Sequence, residues 1–294
     1  MAMVSMTQVR PLDDATHLLS DPEGLRARAE EEGALFFRGL LDSDSVLSVR
    51  RQILEVCASH GWVNPGSDPM QGIANPDVVV GESQDPRWRA FYADVQKLRD
   101  FHALALHSAI IGVLEALFGE SVLPHSRNIC RLVFPGSAKF STPPHQDNLY
   151  IGGSRETWTV WVPGGDCPVA LGGLAFATGT HTAGQLETKA AVGPGGSQVD
   201  VDEETAWMGG DYLTGDVVFL HSLSIHQGRD NDSGNLLRVS CDYRYQPRSH
   251  PVREDSLLPH MGWQAWEDIY SDWDQDDPVK YYWNDWNLDV VARG

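Results

Sequence analysis

The sequence predicts a mainly β domain, a sandwich or barrel, with helices packed on it from the N-terminal side. Short runs rich in β-branched and aromatic residues recur from about residue 120 onward, at 130–134, 158–162, 174–177, 217–220 and 237–245. Turn residues separate them, at Pro135-Gly136, Pro163-Gly164-Gly165, Gly172-Gly173, 193–196 and Gly209-Gly210. Many short strands with this punctuation argue for a closed or doubled sheet rather than for alternating strands and helices. Before residue 120 the apolar residues repeat at helical spacing instead.

The elements follow in order. Asp21-Pro22-Glu23-Gly24 is a helix start, and Leu25, Ala29 and Glu32 continue it to Gly33. Residues 34–40 are short and apolar, like a strand. Asp42 or Ser43 caps a helix through Val46, Val49, Ile53 and Val56, ended by His60-Gly61. Residues 62–88 are rich in Pro, Gly, Asn and Asp and predict a loop, long enough to carry function. Helical spacing resumes at 88–98 and 101–118, where Gly119 stops it. No repeat and no linker interrupts the 294 residues. The expectation is one domain over 1–294: helical to about 120, a β core over 121–250, and a tryptophan-rich cap over 251–294.

Composition is ordinary for a globular chain, with 41% hydrophobic and 21% charged residues. The formal charge is −19, which repels nucleic acid and anionic membrane and so disfavours both as partners. Four scattered cysteines, Cys57, Cys130, Cys167 and Cys241, read as reduced thiols rather than a disulfide framework. Met1–Pro11 has no basic region followed by an apolar stretch, and no apolar run approaches the roughly 20 residues of a bilayer span. A cytoplasmic location is expected.

Chemistry concentrates in Pro143-Pro144-His145-Gln146-Asp147. In an extended chain residues i and i+2 share a side, so His145 and Asp147 can reach one ion while Gln146 points away. A distant histidine would complete a two-histidine, one-carboxylate face, which leaves adjacent positions for a chelating co-substrate and dioxygen on iron(II). An isolated pair of this kind is weak, because such a histidine can simply cap a turn. The second half strengthens it: Gly215-Asp216, then His221 and His226, then Arg238. His221 and His226 are separated by an odd number, so on a continuous strand they face opposite ways. Only His226 is followed by a polar loop and an arginine-led strand. Arg238 sits in an apolar context where an unpaired charge is costly, and a guanidinium can grip a carboxylate through two hydrogen bonds.

Taken together, His145-Gln146-Asp147, Gly173-Leu174 before Gly179-Thr180-His181, Gly215-Asp216, His226 with Asn231 and Ser233, and Arg238 resemble the phytanoyl-CoA dioxygenase family over about residues 30–250. The resemblance implies a double-stranded β-helix, a cupin-like jelly roll with flanking helices. It implies Fe(II), 2-oxoglutarate and O2, with oxidative decarboxylation to succinate and CO2 coupled to hydroxylation of a small molecule. It also implies His145, Asp147 and His226 as catalytic metal ligands and Arg238 on the distal carboxylate of 2-oxoglutarate. Trp161 matches a position lining the co-substrate, and Thr159, on the same face by alternation, could donate a hydrogen bond to it. Gln96 and Lys97 fall where some members touch 2-oxoglutarate. Asp147 argues against halogenation, for which related enzymes carry a small residue there.

On the substrate side, loop 62–88, residues 183–212 and residues 260–294 are expected around the pocket mouth. Trp263, Trp266, Trp273, Trp283 and Trp286 lie in the last, where packing a cap is the plainer expectation and a homodimer contact is another. An apolar small molecule suits this richness better than a coenzyme A ester, whose phosphates an acidic chain does not welcome. Two other readings remain: the same metal site ending in desaturation, cyclisation or rearrangement, and a non-catalytic jelly-roll binding protein.

Overall fold

Short polar residues set the helices where the sequence places them. In the computed structural model, which describes residues 9–78, 80, 85–136, 141–202 and 204–293, α1 (Pro22–Glu32) begins at Asp21. The Asp21 carboxylate accepts from the Gly24 N–H, and the helix ends at Gly33, whose φ of 64° suits a residue without Cβ. Asp42 caps α2 (Ser43–Ser59) through the Ser45 N–H, and Val46, Val49, Ile53, Leu54 and Cys57 form its buried stripe. Asp85 caps α3 (Pro86–Gln96), which therefore starts inside the expected loop 62–88. Residues 79 and 81–84 of that loop lie outside the described residues.

The run 101–118 is not one helix. It divides into α4 (Arg99–Ala103), a 3-10 turn (Leu104–Leu106) and α5 (Ser108–Phe118). His107 is extended there and its Nδ1 accepts the Ala109 N–H, so a side chain competes with helix continuation. Contrary to expectation, Arg99–Phe118 is long and apolar enough, by length and composition alone, for a bilayer span. Phe101, Ala105, Ile110 and Leu114 instead join the main core.

The β strands form the expected jelly roll. The larger sheet runs β2 (Ala34–Phe37), β10 (Val217–His221), β5 (Trp158–Pro163), β12 (Arg238–Pro247) and β3 (Val122–Pro124), with β4 (Ile129–Val133) pairing the other end of β12. The smaller runs β1 (Val9–Arg10), β9 (Trp207–Met208), β6 (Leu174–Ala177) and β11 (His226–Gly228). Thr188–Ala190 and Ser197–Val199 make a separate hairpin.

The larger sheet is covered on both faces, so its strands read as continuous apolar runs rather than alternating ones. Val217 and Phe219 of β10 face the helices, while Val218 and Leu220 meet Leu174, Phe176 and Met208 of the smaller sheet. Burying a side chain such as Phe219 contributes about 1.5–3 kcal/mol. β12 departs from this pattern: Val239, Cys241, Tyr243 and Tyr245 join the helix-side core, while Arg238, Ser240, Asp242 and Arg244 alternate with them and are also buried. A buried row of polar groups between two sheets marks where the site lies.

Two motifs turn out to be structural. Asp216 accepts from Gly39 and Leu213 N–H groups and pairs with Arg38, fastening β10 to the turn after β2. A Cβ on Gly215 would lie 2.4 Å from the Leu41 carbonyl oxygen, so the chains meet closely there. Asn231 donates to the Val133 and Leu236 carbonyls and accepts from Ser233, closing the loop into β12. Trp266, Ile269, Tyr270 and Trp283 pack on Leu123 and Val252 as their own cluster, so most of the tryptophan-rich stretch is a structural cap. The four cysteines are free and buried.

Candidate active site

A two-residue bridge between chain segments creates the site. His145 and His226 exchange both backbone hydrogen bonds, at 3.0 and 3.1 Å, which brings their imidazole centroids to 4.2 Å. Asp147 is not extended: with φ −64° and ψ −28° it leads into the short helix α6 (Asn148–Ile151). Its Oδ1 nevertheless lies 3.5 Å from His145 Nε2 and 3.9 Å from His226 Nε2. The three donor atoms fall within 4.8 Å of one another, and all three residues are buried. Gln146 points away, donating to the Gly184 and Leu223 carbonyls.

His226 is separated from His221 by a change of sheet, not by alternation along one strand. His221 ends β10 and His226 begins β11, with a turn between, so the premise of a continuous strand fails although the same histidine reaches the site. His221 instead rests against Trp158 and His181.

Each ring is held so that one nitrogen remains for a ligand. His145 Nδ1 lies 2.8 Å from the Pro143 carbonyl and His226 Nδ1 lies 3.0 Å from that of Ser224. A carbonyl only accepts, so Nδ1 carries the proton and Nε2 keeps its lone pair, the arrangement of metal-bound histidines. Asp147 Oδ2 accepts from Thr159 Oγ1 and, at 3.1 Å, from Arg244 Nη2, leaving Oδ1 toward the imidazoles. Burial alone would raise the Asp147 pKa, but Arg244 and the His145 hydrogen bond outweigh it and hold the carboxyl well below its usual range. Burial, helped by the charge of His145, pushes His226 down to about 4, so it stays neutral and able to ligate. Two imidazoles and one carboxylate, without thiolate, are a donor set that fits iron(II).

From these donors a narrow cleft leads to Arg238, bounded by Thr159, Trp161, Leu174, Leu220 and Gly228. Arg238 is 2% exposed and its Nε has no hydrogen-bond partner. Burial lowers its pKa, and among the described residues no carboxylate pairs with it. A Cβ on Gly228 would lie 3.2 Å from the Thr142 backbone nitrogen, so the glycine lets these two segments approach closely beside the cleft. An acid with a carboxylate at each end would satisfy both the cation and the metal face, which is the shape of 2-oxoglutarate. Trp161 walls this cleft, packed edge-on to Tyr212. Thr159 borders it too, but commits its one proton to Asp147 rather than to a co-substrate. Gln96 and Lys97 border neither cavity: Gln96 is buried against the Asn128 carbonyl.

A second, larger cavity of about 560 Å³ opens over His145 and Asp147. Trp88, Tyr92, Ile129, Ile151 and Trp263 line it, with residues 193–196 at one side. Each of the three segments expected at the mouth thus contributes a small part. Sequence reasoning missed Arg127, Arg131 and Arg244, which line this cavity as well. The signal for Arg244 was available, since it shares the alternation of Arg238 along β12.

A family model described as phytanoyl-CoA dioxygenase (PhyH) matches residues 29–239. The 1-deoxypentalenic acid 11-beta-hydroxylase of Streptomyces arenae is 29% identical over 262 residues, covering 84% of this chain and 88% of that protein. Its counterpart in Streptomyces exfoliatus is 28% identical over 263 residues, with the same coverage. Among solved structures, the non-heme alpha-ketoglutarate dependent carbocyclase SnoK of nogalamycin biosynthesis superposes with a TM-score of 0.56 at 19% identity, over 83% of this chain and 91% of that one. The epimerase SnoN of the same biosynthesis gives 0.54 at 21% identity, over 79% and 84%.

Proposed function

Because this chain belongs to the phytanoyl-CoA dioxygenase family, we propose that it hydroxylates a C–H bond of a small, largely apolar molecule, using iron(II) and 2-oxoglutarate. His145, Asp147 and His226 would hold the metal, and Arg238 would bind the distal carboxylate of 2-oxoglutarate. The observation that carries this reading is the pairing of a buried His–Asp–His face with a buried arginine that lacks a carboxylate partner among the described residues, joined by one cleft. The curated relatives bear the names of hydroxylases, which favours oxygen insertion over other outcomes.

When bound, iron and 2-oxoglutarate supply oxidation of a C–H bond by dioxygen, with release of succinate and carbon dioxide. The chain's own residues do the rest. The Pro143 and Ser224 carbonyls fix the imidazole tautomers, and Thr159 with Arg244 turns Asp147 so that Oδ1 faces the rings. Trp161, Leu174 and Leu220 enclose the co-substrate cleft and exclude water from it. In this reading the larger cavity would take the substrate over His145 and Asp147, between Tyr92, Ile129 and Trp263. Positioning of this kind is the protein's main contribution when a cofactor carries the chemistry.

The test is substrate-stimulated succinate release with mass analysis of the product. A gain of one oxygen supports hydroxylation, whereas loss of two hydrogens replaces it with desaturation or cyclisation. Succinate formation that persists in His226→Ala overturns the ligand assignment.

A further inference from the structure

The larger cavity carries a charge pattern opposite to that of the whole chain. The protein has a formal charge of −19, yet among the described residues Arg127, Arg131 and Arg244 line this cavity against one lining carboxylate, Asp147. Arg131 is matched by Asp242 at 2.5 Å. Arg127 shares one carboxylate with Arg253: its Nη1 donates to Asp255 Oδ2 at 3.3 Å, while Arg253 reaches both oxygens, at 2.5 and 2.8 Å. Arg244 is 5% exposed, and its Nη2 meets Asp147 Oδ2 at 3.1 Å and, at 3.9 Å, the Asp242 carboxylate that Arg131 already holds. Its Nε and Nη1 have no partner at all.

A buried guanidinium with unmade hydrogen bonds is costly unless a ligand completes them. The neighbouring histidines report the same field. Burial first, then the charges of Arg127 and Arg244, hold His260 well below its usual range, and its Nδ1 meets the Tyr92 hydroxyl at 2.6 Å. Among the described lining residues the rest of the wall is largely Trp88, Ile129, Ile151 and Trp263.

We propose that the substrate is a carboxylic acid with an apolar body, and that Arg244 and Arg127 bind its carboxylate. This deepens the oxygenase reading and rests on it for the chemistry. The acid group anchors one end, and the apolar walls then fix which C–H bond lies over His145 and Asp147. A carboxylate suits the surplus because it is singly charged and planar, and guanidinium groups bind it through paired N–H donors.

The test uses the anaerobic protein loaded with iron(II) and 2-oxoglutarate, and calorimetry with dodecanoic acid, 1-adamantaneacetic acid, their primary amides, and dodecyl phosphate. The acids should bind at least about tenfold more tightly than the amides, since the amide leaves a buried charge unmatched. Arg127→Gln should reduce that ratio to below about threefold, with amide affinity unchanged, and Arg127→Lys should restore part of it. Equal affinity for acid and amide, no binding of either, or a ratio that survives Arg127→Gln overturns the proposal. Tighter binding of the phosphate by about tenfold overturns the carboxylate assignment. The weak visible charge-transfer band of the iron(II)–2-oxoglutarate complex is read in the same samples. Its presence with unselective acid binding sinks the clamp alone, whereas its absence sinks the oxygenase reading.

Discussion

Replacing Thr159 with valine removes one hydroxyl and leaves the side chain's shape intact. That hydroxyl donates to Asp147 Oδ2 at 2.5 Å, with both residues buried, so no water can take its place. A hydrogen bond to a charged group contributes about 1.5–3 kcal/mol. Loss of a partner that orients a metal ligand weakens metal binding about 10–100-fold, which converts to about 1.4–2.8 kcal/mol. The two ranges overlap, and Arg244 remains on the same oxygen at 3.1 Å to hold the carboxylate. The lower half is therefore expected: iron(II) binding weaker by about 10–30-fold. The assay is anaerobic iron(II) calorimetry without 2-oxoglutarate, with Thr159→Ser as the variant that keeps the hydroxyl and binds as the wild type does. Unchanged iron affinity combined with weaker 2-oxoglutarate binding would refute the reasoning, because the hydroxyl would then serve the co-substrate.

Arg238→Met should lower 2-oxoglutarate affinity by at least about 30-fold while iron(II) binding holds. Its melting temperature without 2-oxoglutarate should not fall, since the variant removes a buried guanidinium whose Nε has no partner; a clear drop would show that Arg238 supports the fold. His221→Asn should leave iron(II) affinity within about twofold, because a full order of magnitude belongs to a ligand or its partner. Burial pushes His102 down to about 4, only partly offset by its hydrogen bond to the Gln96 carbonyl. Its folded value lies below the unfolded value of about 6.5, so the stability it contributes is complete above pH 6.5 and is lost as pH falls toward 4. About 2 kcal/mol should be gone by pH 5. The drop in melting temperature between pH 7 and pH 5 should shrink in His102→Gln, and an unchanged drop would place the acid sensitivity elsewhere.

The local features were legible because their causes are local. Asp21, Asp42 and Gly33 bound helices through their own side chains or lack of one, so α1 and α2 follow from short stretches of sequence. Most strands of the larger sheet were equally plain, since burial on both faces leaves continuous apolar runs such as β10 and β5, whereas the three-residue β3 was not read. The run 101–118 misled for the converse reason. Its apolar spacing is uniform, and only the His107 side chain turning back on Ala109 breaks it.

Sequence by itself determined the chemical inventory: two imidazoles, one carboxylate and an isolated arginine, in an order that resembles one family. It did so because ligand type and chain order are properties of the covalent chain. Only the tertiary structure decided how those groups are used. His226 meets His145 because the chain crosses between sheets, and Asp147 joins them because it enters a helical turn. Thr159 turned from co-substrate to carboxylate because β5 brings it beside Asp147. Arg127 and Arg244 became visible as a pair only when β12 and the segment before β4 closed over one cavity. Hydrogen bonds and charge pairs act over a few ångströms in space, and residues more than a hundred positions apart acquire such distances only when the sheets close.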